Sequence, residues 1–448
     1  MGKYLLRNTI IDLLLRIEQD SGYSHLLINH EIKSNKISPK DEGLLTEIVY
    51  GTIQRKITLD YFIDYYLNSK KKIEPWVRML LRMSIYQMNY LDKVPDHAIF
   101  HEAVEIAKQR GHKGVASLVN GMLRTIQRNG LPDIQKIQDP VQRLSVETSH
   151  PEWLVKRWID HYGYETTKEM CEANLTTKAM SVRIQPLKIS RKDAMERLNN
   201  EGYEVSASIF SEQGIIINNG NILKSSLFED GLVTIQDQSS MLVGELLDAN
   251  AGDVVLDACS APGGKATHIA EKMGNKGVIR AHDLHKKKIK LINEKANALD
   301  LSIIEAEAAD ARNLGEHYQN ETFDRILVDA PCSGLGVMRG KPDIKYNKQE
   351  RDIERLSEIQ KDILTTVAPL LKIEGKLLYS TCTVDPIENE AVVKAFLAEH
   401  EDYQIDKQFF EELPNELKNS IGVSEYGLQL FPQSFETDGF FLTRLIRR

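Results

Sequence analysis

Apolar residues recur at helical spacing through the first 130 positions, and the rhythm then changes. Leu6, Ile10, Leu13, Leu14 and Ile17 make one stripe, and Leu44, Leu45, Ile48, Val49 and Ile53 a second. Leu80, Leu81, Ile85 and Met88 make a third, Val104 and Ala107 mark a fourth helix, and Val115, Leu118, Val119, Met122 and Leu123 a fifth. Steps of three and four residues place such side chains on one helix face. Residues 1–130 are therefore expected to form an all-helical domain. Pro39, Pro75 and Pro95 fall in gaps or at helix starts, where a missing backbone N–H costs little.

Asn129-Gly130-Leu131-Pro132-Asp133 interrupts this pattern and reads as a linker. A helical piece with Trp153 and Trp158 follows, then a strand at 181–184, a helix at 191–200 closed by Gly202, and a strand at 215–217. These predict a small α+β connector over 140–230. From residue 233 strands and helices alternate. Strands are expected at 254–257, 277–283, 323–329, 375–382 and 439–445, with helices at 265–273, 286–299 and 350–371 between them. Such alternation implies a mostly parallel, doubly wound sheet, so residues 233–448 are expected to form a Rossmann-like α/β catalytic domain.

Composition narrows the class. Of 448 residues 42% are hydrophobic and 27% charged, as in ordinary globular chains. No apolar run is long enough for a membrane span, and Asp12 and Arg16 break up any leader-like core near the N-terminus. The four cysteines show no CxxC spacing and the twelve histidines no metal-ligand spacing. Neither a disulfide framework nor a metal site is expected, and a reducing, cytoplasmic location follows. The net charge of −8 is unevenly spread. Residues 1–130 hold 19 Lys+Arg against 14 Asp+Glu, so a basic first domain stands on an acidic body. That asymmetry suits a module that docks on a polyanion.

The candidate chemistry lies at strand ends, where open parallel sheets bind ligands. The turn Ala258-Cys259-Ser260-Ala261-Pro262-Gly263-Gly264-Lys265 joins the first catalytic-domain strand to a helix. Its glycines let a ligand approach the backbone, and the helix start favours an anionic group. Asp283 ends the second strand, twenty residues beyond Gly263, at the spacing where a carboxylate takes both ribose hydroxyls. Asp310 is expected to follow a further strand between that one and the strand 323–329, which Asp329 ends. There is no GxGxxG or GxxxxGK[ST], which argues against a dinucleotide or ATP. The set suits a mononucleoside with a small zwitterionic tail, S-adenosyl-L-methionine, with S-adenosyl-L-homocysteine as product.

Two thiols complete the pattern. Cys332 stands in Asp329-Ala330-Pro331-Cys332-Ser333-Gly334 and Cys382 in Tyr379-Ser380-Thr381-Cys382-Thr383. C5 of cytosine is not nucleophilic. A thiolate adding to C6 makes C5 enamine-like, and after methyl transfer the C5 proton and the thiol must leave. This needs a thiolate beside the methyl donor, an acid near N3 and a base for the C5 proton. Spacing does not decide which thiol attacks.

These motifs resemble the RNA 5-methylcytosine methyltransferases, and within them the bacterial RsmB (Sun or Fmu) type. Residues 1–130, with Glu47-Ile48-Val49-Tyr50-Gly51-Thr52 and Val94-Pro95-Asp96-His97-Ala98, resemble a NusB-type RNA-binding domain. Ser149-His150-Pro151-Glu152-Trp153-Leu154-Val155 and Gln236-Asp237-Gln238-Ser239-Ser240 resemble the connector and the entry to the catalytic domain. The resemblance implies that Cys382 is the nucleophile and that Cys332 assists release of methylated RNA. It assigns 258–265, Asp283, Asp310 and Asp329 to the cofactor, and Asp329 and Lys265 also to the catalytic centre. Asp385-Pro386-Ile387-Glu388-Asn389-Glu390 matches the motif that follows the nucleophile. The implied substrate is 16S ribosomal RNA, as naked or early-assembly RNA, with cytosine 967 the family's target. A monomer without metal or membrane partner is expected. The rival expectations are a transfer-RNA cytosine methyltransferase, a non-catalytic RNA-binding assembly factor and a nicotinamide-dependent oxidoreductase.

Overall fold

The computed structural model describes residues 4–20, 24–34, 37–67 and 72–448, and the chain divides into two compact units. Lys70 and Lys71 of the basic run 70–72 lie outside the described residues. The first unit runs to Leu175 and also takes in Gly340–Lys348. Its helices are α1 (Leu5–Asp20), α2 (Ser24–Lys33), α3 (Glu42–Gln54), α4 (Lys56–Tyr66), α5 (Pro75–Tyr90), α6 (Asp96–Arg110), α7 (Lys113–Asn129), α8 (Pro140–Thr148), α9 (Glu152–Tyr162) and α10 (Tyr164–Ala173). The apolar stripes read from the sequence converge here: Ile10, Leu13, Leu45, Ile48, Leu80, Ile85, Val119 and Leu123 share one buried core. Helices α2 and α4 lie between the expected ones, and α8–α10, read as connector, pack in this unit.

A buried charge cluster braces the bundle. Arg82 of α5 is 4% exposed and grips Asp60 at 2.8 and 2.6 Å and Glu18 at 2.8 Å. Two carboxylates on one guanidinium satisfy charge that burial alone would penalise. The segment Gly340–Lys348 is seated in the same unit. Its Lys345, wholly buried, donates to the carbonyls of Gln54 at 3.2 Å and Ser149 at 3.4 Å. The Tyr346 hydroxyl donates to the Ser149 carbonyl at 3.1 Å, and the Lys56 ammonium lies over the Tyr346 ring at 5.0 Å. Burial pushes Lys345 down to about 7.

The second unit comprises Thr176–Arg339 and Gln349–Arg448. It opens with an antiparallel sheet of β1 (Met180–Ile184), β2 (Glu204–Ala207), β3 (Gly214–Asn219) and β4 (Val233–Ile235), in the order β2-β3-β1-β4. The helix Arg191–Asn200 packs on it through Ala194 and Leu198. The large sheet is built from β5 (Val254–Asp257), β6 (Val278–Asp283), β7 (Ile304–Ala308), β8 (Phe323–Asp329), β9 (Leu371–Thr381), β10 (Tyr403–Ile405), β11 (Val423–Ser424), β12 (Gly427–Leu430) and β13 (Phe440–Arg447). Its order is β11-β12-β13-β9-β8-β5-β6-β7, with β10 beside β13. The five strands β7-β6-β5-β8-β9 are parallel, and β13 closes antiparallel on β9.

Alternation within these strands builds two cores, one on each face. Val255, Leu327 and Leu378 enter one, and Leu256, Ile326, Val328, Leu377 and Tyr379 the other. The long helix expected to reach 371 ends at Val367. Pro369 sits in a 3-10 turn there, having no N–H with which to continue the helix, and β9 starts at Leu371. Strands run to one side as β5-β6-β7 and to the other as β8-β9. The switch between β5 and β8 opens a crevice at the strands' carboxyl ends. Among the described residues no helix is long and apolar enough to cross a membrane, and no cluster of three or more His, Cys, Asp or Glu is arranged to hold a metal.

Candidate active site

β5 delivers the chain directly into the Gly-rich turn, which the helix Gly264–Lys272 continues. Gly263 adopts φ +90°, and a Cβ there would come within 3.1 Å of the Ile292 Cα. Only glycine meets both demands. Ser260 N–H donates to the His282 carbonyl and Gly263 N–H to the Ser260 carbonyl, each at 2.7 Å, so the turn is pinned to β6. Behind it, the wholly buried Arg183 of β1 pairs with Glu271 at 2.7 and 3.1 Å. It also donates to the Gly264 carbonyl at 2.9 Å. The small sheet thereby fixes the first turn of the helix that follows the Gly-rich turn.

A cleft of about 390 Å³ opens at the switch point. Ala258, Cys259 and Ala261 line its floor, and Asp283, Asp310 and Asp329 stand around it. Each acid ends or follows a parallel strand, which is why residues far apart in sequence meet. Asp283 accepts from His285 N–H at 3.1 Å, with the Lys288 ammonium 3.5 Å away. Asp310 caps the following turn through Arg312 N–H at 3.0 Å and pairs with the Arg312 guanidinium at 2.6 Å. That hydrogen bond holds its carboxyl below the ordinary range. Leu356, Ile359 and Ile363 supply an apolar wall.

Electrostatics divide the cleft into two parts. Burial pushes the Cys259 thiol well up, and Asp257, Asp329, Asp283 and Asp310 push it further. So many carboxylates around one thiol keep it protonated and make a field that attracts a cation. Asp257 is wholly buried. Burial raises it to about 7, with Asp329 adding and Ser260 and Lys265 opposing. Nearer the thiols, Lys265 donates to Asp329 at 2.7 Å, and the Ser380 hydroxyl donates to the other Asp329 oxygen at 2.8 Å. The Lys265 ammonium also lies 5.2 Å from the Phe440 ring centroid. Burial pulls Lys265 down, but Asp329, Cys382 and Asp257 outweigh it and leave it raised.

The parallel register of β8 and β9 pairs Asp329 with Ser380, so the two cysteine loops leave the sheet side by side. The Cys332 and Cys382 sulfurs lie 3.3 Å apart, and both line the cleft. Gly336 N–H donates to the Cys382 carbonyl at 3.0 Å, and Gly439 N–H to the Gly336 carbonyl at 2.9 Å. A Cβ on Gly336 would meet the Gly439 carbonyl oxygen at 1.9 Å, so this crossing admits no side chain. The contact with Cys382 raises the Cys332 thiol well above its ordinary value, and burial raises it further.

Of the residues singled out in the sequence, Ala258, Cys259, Ala261, Asp283, Asp310, Asp329, Cys332 and Cys382 line one cleft. Ser260 and Gly263 are buried in the turn and Pro262 is exposed. Lys265 joins through Asp329. Sequence reasoning passed over Asp257, Ser380 and the apolar wall. Asp257 carried the same signal as Asp329, an acid at a strand end, and Leu356, Ile359 and Ile363 form a helical stripe. Glu412 pairs with the buried Arg444 at 2.6 Å.

The chain matches three family profiles: NusB family over residues 5–128, an RsmF/B-like methyltransferase ferredoxin-like domain over 150–222, and 16S rRNA methyltransferase RsmB/F over 245–446. It is 50% identical over 448 residues to "Probable ribosomal RNA small subunit methyltransferase B" of Bacillus subtilis, covering 100% of both chains. It is 33% identical to "Ribosomal RNA small subunit methyltransferase B" of Pseudomonas putida, over 95% of each chain. Among solved structures, that of PH0851 covers 100% of this chain and 99% of its own at 25% identity, with a TM-score of 0.82. A methyltransferase homolog protein from Pyrococcus horikoshii matches 69% of this chain and 100% of its own at 28% identity, with a TM-score of 0.59.

Proposed function

Because the chain belongs to the 16S rRNA methyltransferase RsmB/F family, and is thus an S-adenosyl-L-methionine-dependent rRNA methyltransferase, we propose that it methylates C5 of one cytosine of 16S ribosomal RNA through a covalent bond from Cys382 to C6. The observation that carries this reading is the thiol pair at 3.3 Å on the rim of the acid-lined cleft. Neither half alone calls for pyrimidine C5 chemistry. Together they support a nucleophile acting beside a site suited to a cationic nucleoside.

The residues present fit the cofactor. The ring of carboxylates suits a sulfonium and an α-ammonium, Asp283 suits the ribose hydroxyls, and the wall of Leu356, Ile359 and Ile363 suits an aromatic base. Gly263 leaves the backbone open to close approach. When bound, S-adenosyl-L-methionine supplies an electrophilic methyl group.

The chain's own residues supply the rest. The Cys382 sulfur adds to C6, and electron density moves to C5. The raised Lys265 ammonium, partnered by Asp329, gives a fixed positive charge facing Cys382, which favours the thiolate. Asp329 is assigned the N3 edge of the base. Cys332, whose sulfur lies 3.3 Å from that of Cys382, assists the elimination that follows. After methyl transfer the Cys332 sulfur, as thiolate, takes the C5 proton, the C5–C6 double bond re-forms, and the Cys382–C6 bond breaks to return the Cys382 thiolate.

In this reading the first unit docks the RNA, and the enzyme acts as a cytoplasmic monomer on naked or early-assembly RNA at the position equivalent to cytosine 967. The test is bisulfite sequencing of ribosomal and transfer RNA from a strain lacking the gene. Loss of one 16S methylcytosine, restored by the wild-type gene, is expected. Loss confined to transfer RNA would overturn the substrate, and no loss at all would overturn the C5 chemistry.

A further inference from the structure

Glu388 is wholly buried yet touches no cleft surface. Its carboxylate accepts from the Ser333 backbone N–H at 2.8 Å and also from the Ser333 hydroxyl. Ser333 directly follows Cys332. The same hydroxyl lies 2.9 Å from that of Thr383, which directly follows Cys382. The buried Gln360 amide bridges Glu388 at 3.0 Å and the Pro331 carbonyl at 3.0 Å. Tyr379, on β9 before Cys382, donates its hydroxyl to the Glu388 carbonyl at 2.6 Å. One carboxylate thus joins the residues on both sides of Cys332 to the residue after Cys382.

We propose that Glu388 is a positioning residue that clamps the Cys332 loop against the Cys382 loop and so sets the spacing of the two sulfurs. The proposal rests on the two-thiol reading of this site. The alternative, a buried acid that only stabilises the fold, does not explain why its bonds converge on Ser333, the residue after Cys332, whose hydroxyl in turn meets Thr383, the residue after Cys382. A glutamine can make the same bonds. Its oxygen accepts from Ser333 N–H and Gln360, and its amide donates to the Ser333 hydroxyl, which then donates to Thr383. An alanine can make none of them.

The spacing can be read without RNA or cofactor, using dibromobimane on the full-length protein. Each thiol displaces one bromide and releases a proton, and strong fluorescence appears only when both arms have reacted on neighbouring thiols. Cys332→Ser protein, with no pair to bridge, sets the background. Glu388→Ala is expected to slow bridging by about tenfold, as befits a lost set of buried hydrogen bonds, while Glu388→Gln stays within about threefold of wild type. Should Glu388→Ala fail to fold, Ser333→Ala breaks the clamp from the other loop and is expected to slow bridging likewise. Unchanged bridging in folded Glu388→Ala or Ser333→Ala protein overturns the clamp. Because bridging consumes no RNA, a wrong RNA substrate leaves this result intact, whereas a slow bridging rate with normal methylation would uphold the clamp and overturn the two-thiol mechanism.

Discussion

The Cys332 and Cys382 sulfurs touch at 3.3 Å although 50 residues separate them in the chain. Such closeness lets one thiol act on a base already bonded to the other. Cys382→Ala is expected to abolish methylation. Cys332→Ala is expected to form the bond to C6 and then fail to release it, so that protein stays attached to RNA on a denaturing gel. Methylation by Cys382→Ala protein at the wild-type rate would reverse the two roles.

Asp329 holds Lys265 on one oxygen and Ser380 on the other, so it orients the charge that faces Cys382. Asp329→Asn keeps the shape but removes the counter-charge. Loss of a preorganised electrostatic group of this kind lowers kcat by about 10²–10³, with circular dichroism unchanged. Calorimetry on S-adenosyl-L-methionine separates lost binding from lost chemistry. A drop below about threefold in kcat and affinity together would remove Asp329 from the site.

Most of this site was legible because a parallel sheet brings strand ends together. Once Asp257, Asp283 and Asp329 are read as ending strands, their approach follows from topology. The first-unit stripes were legible for the same reason of period. Three features were not. The helix α4 carries Leu59, Phe62 and Ile63 inward but is crowded with polar and aromatic neighbours that blur its stripe. The strand β11 has only two residues, too short for any period to show. The burial of Gly340–Lys348 in the helical unit depends on partners such as Gln54 and Ser149, which no local pattern announces.

Asp257 gives a pH signature. Burial lifts its carboxyl from an ordinary 3.8 to about 7, with Asp329 adding to the lift and Lys265 opposing it. The folded protein therefore binds a proton that the unfolded chain has released. Its stability falls as pH rises from about 4 to 7 and is level beyond. Between pH 5 and pH 8 this one group costs about 2–3 kcal/mol. Cofactor-free Asp257→Asn protein should lose that part of the slope and gain stability relative to wild type at pH 8, as followed by chemical denaturation. Parallel curves for the two proteins from pH 5 to pH 8 would show that Asp257 is ionised throughout.

The proposed RNA docking by the first unit is tested by point charges and not by truncation. Deleting residues 1–130 would strip Gln54 from Lys345, Lys56 from Tyr346 and Ser24 from Asp343. Lost RNA binding would then be confounded with an unseated segment that leads straight back, through Arg339, to the Cys332 loop. On α7, Arg124 and Arg128 are exposed one turn apart, and Arg124 lies over the Phe100 ring at 4.6 Å. Each phosphate contact contributes about 0.7–0.9 to the slope of log affinity against log salt. Arg124→Gln/Arg128→Gln protein should therefore bind RNA more weakly at low salt, with a slope reduced by about 1.4–1.8. Nitrocellulose filter binding at several salt concentrations measures it. A slope and affinity equal to wild type would move the docking face away from α7.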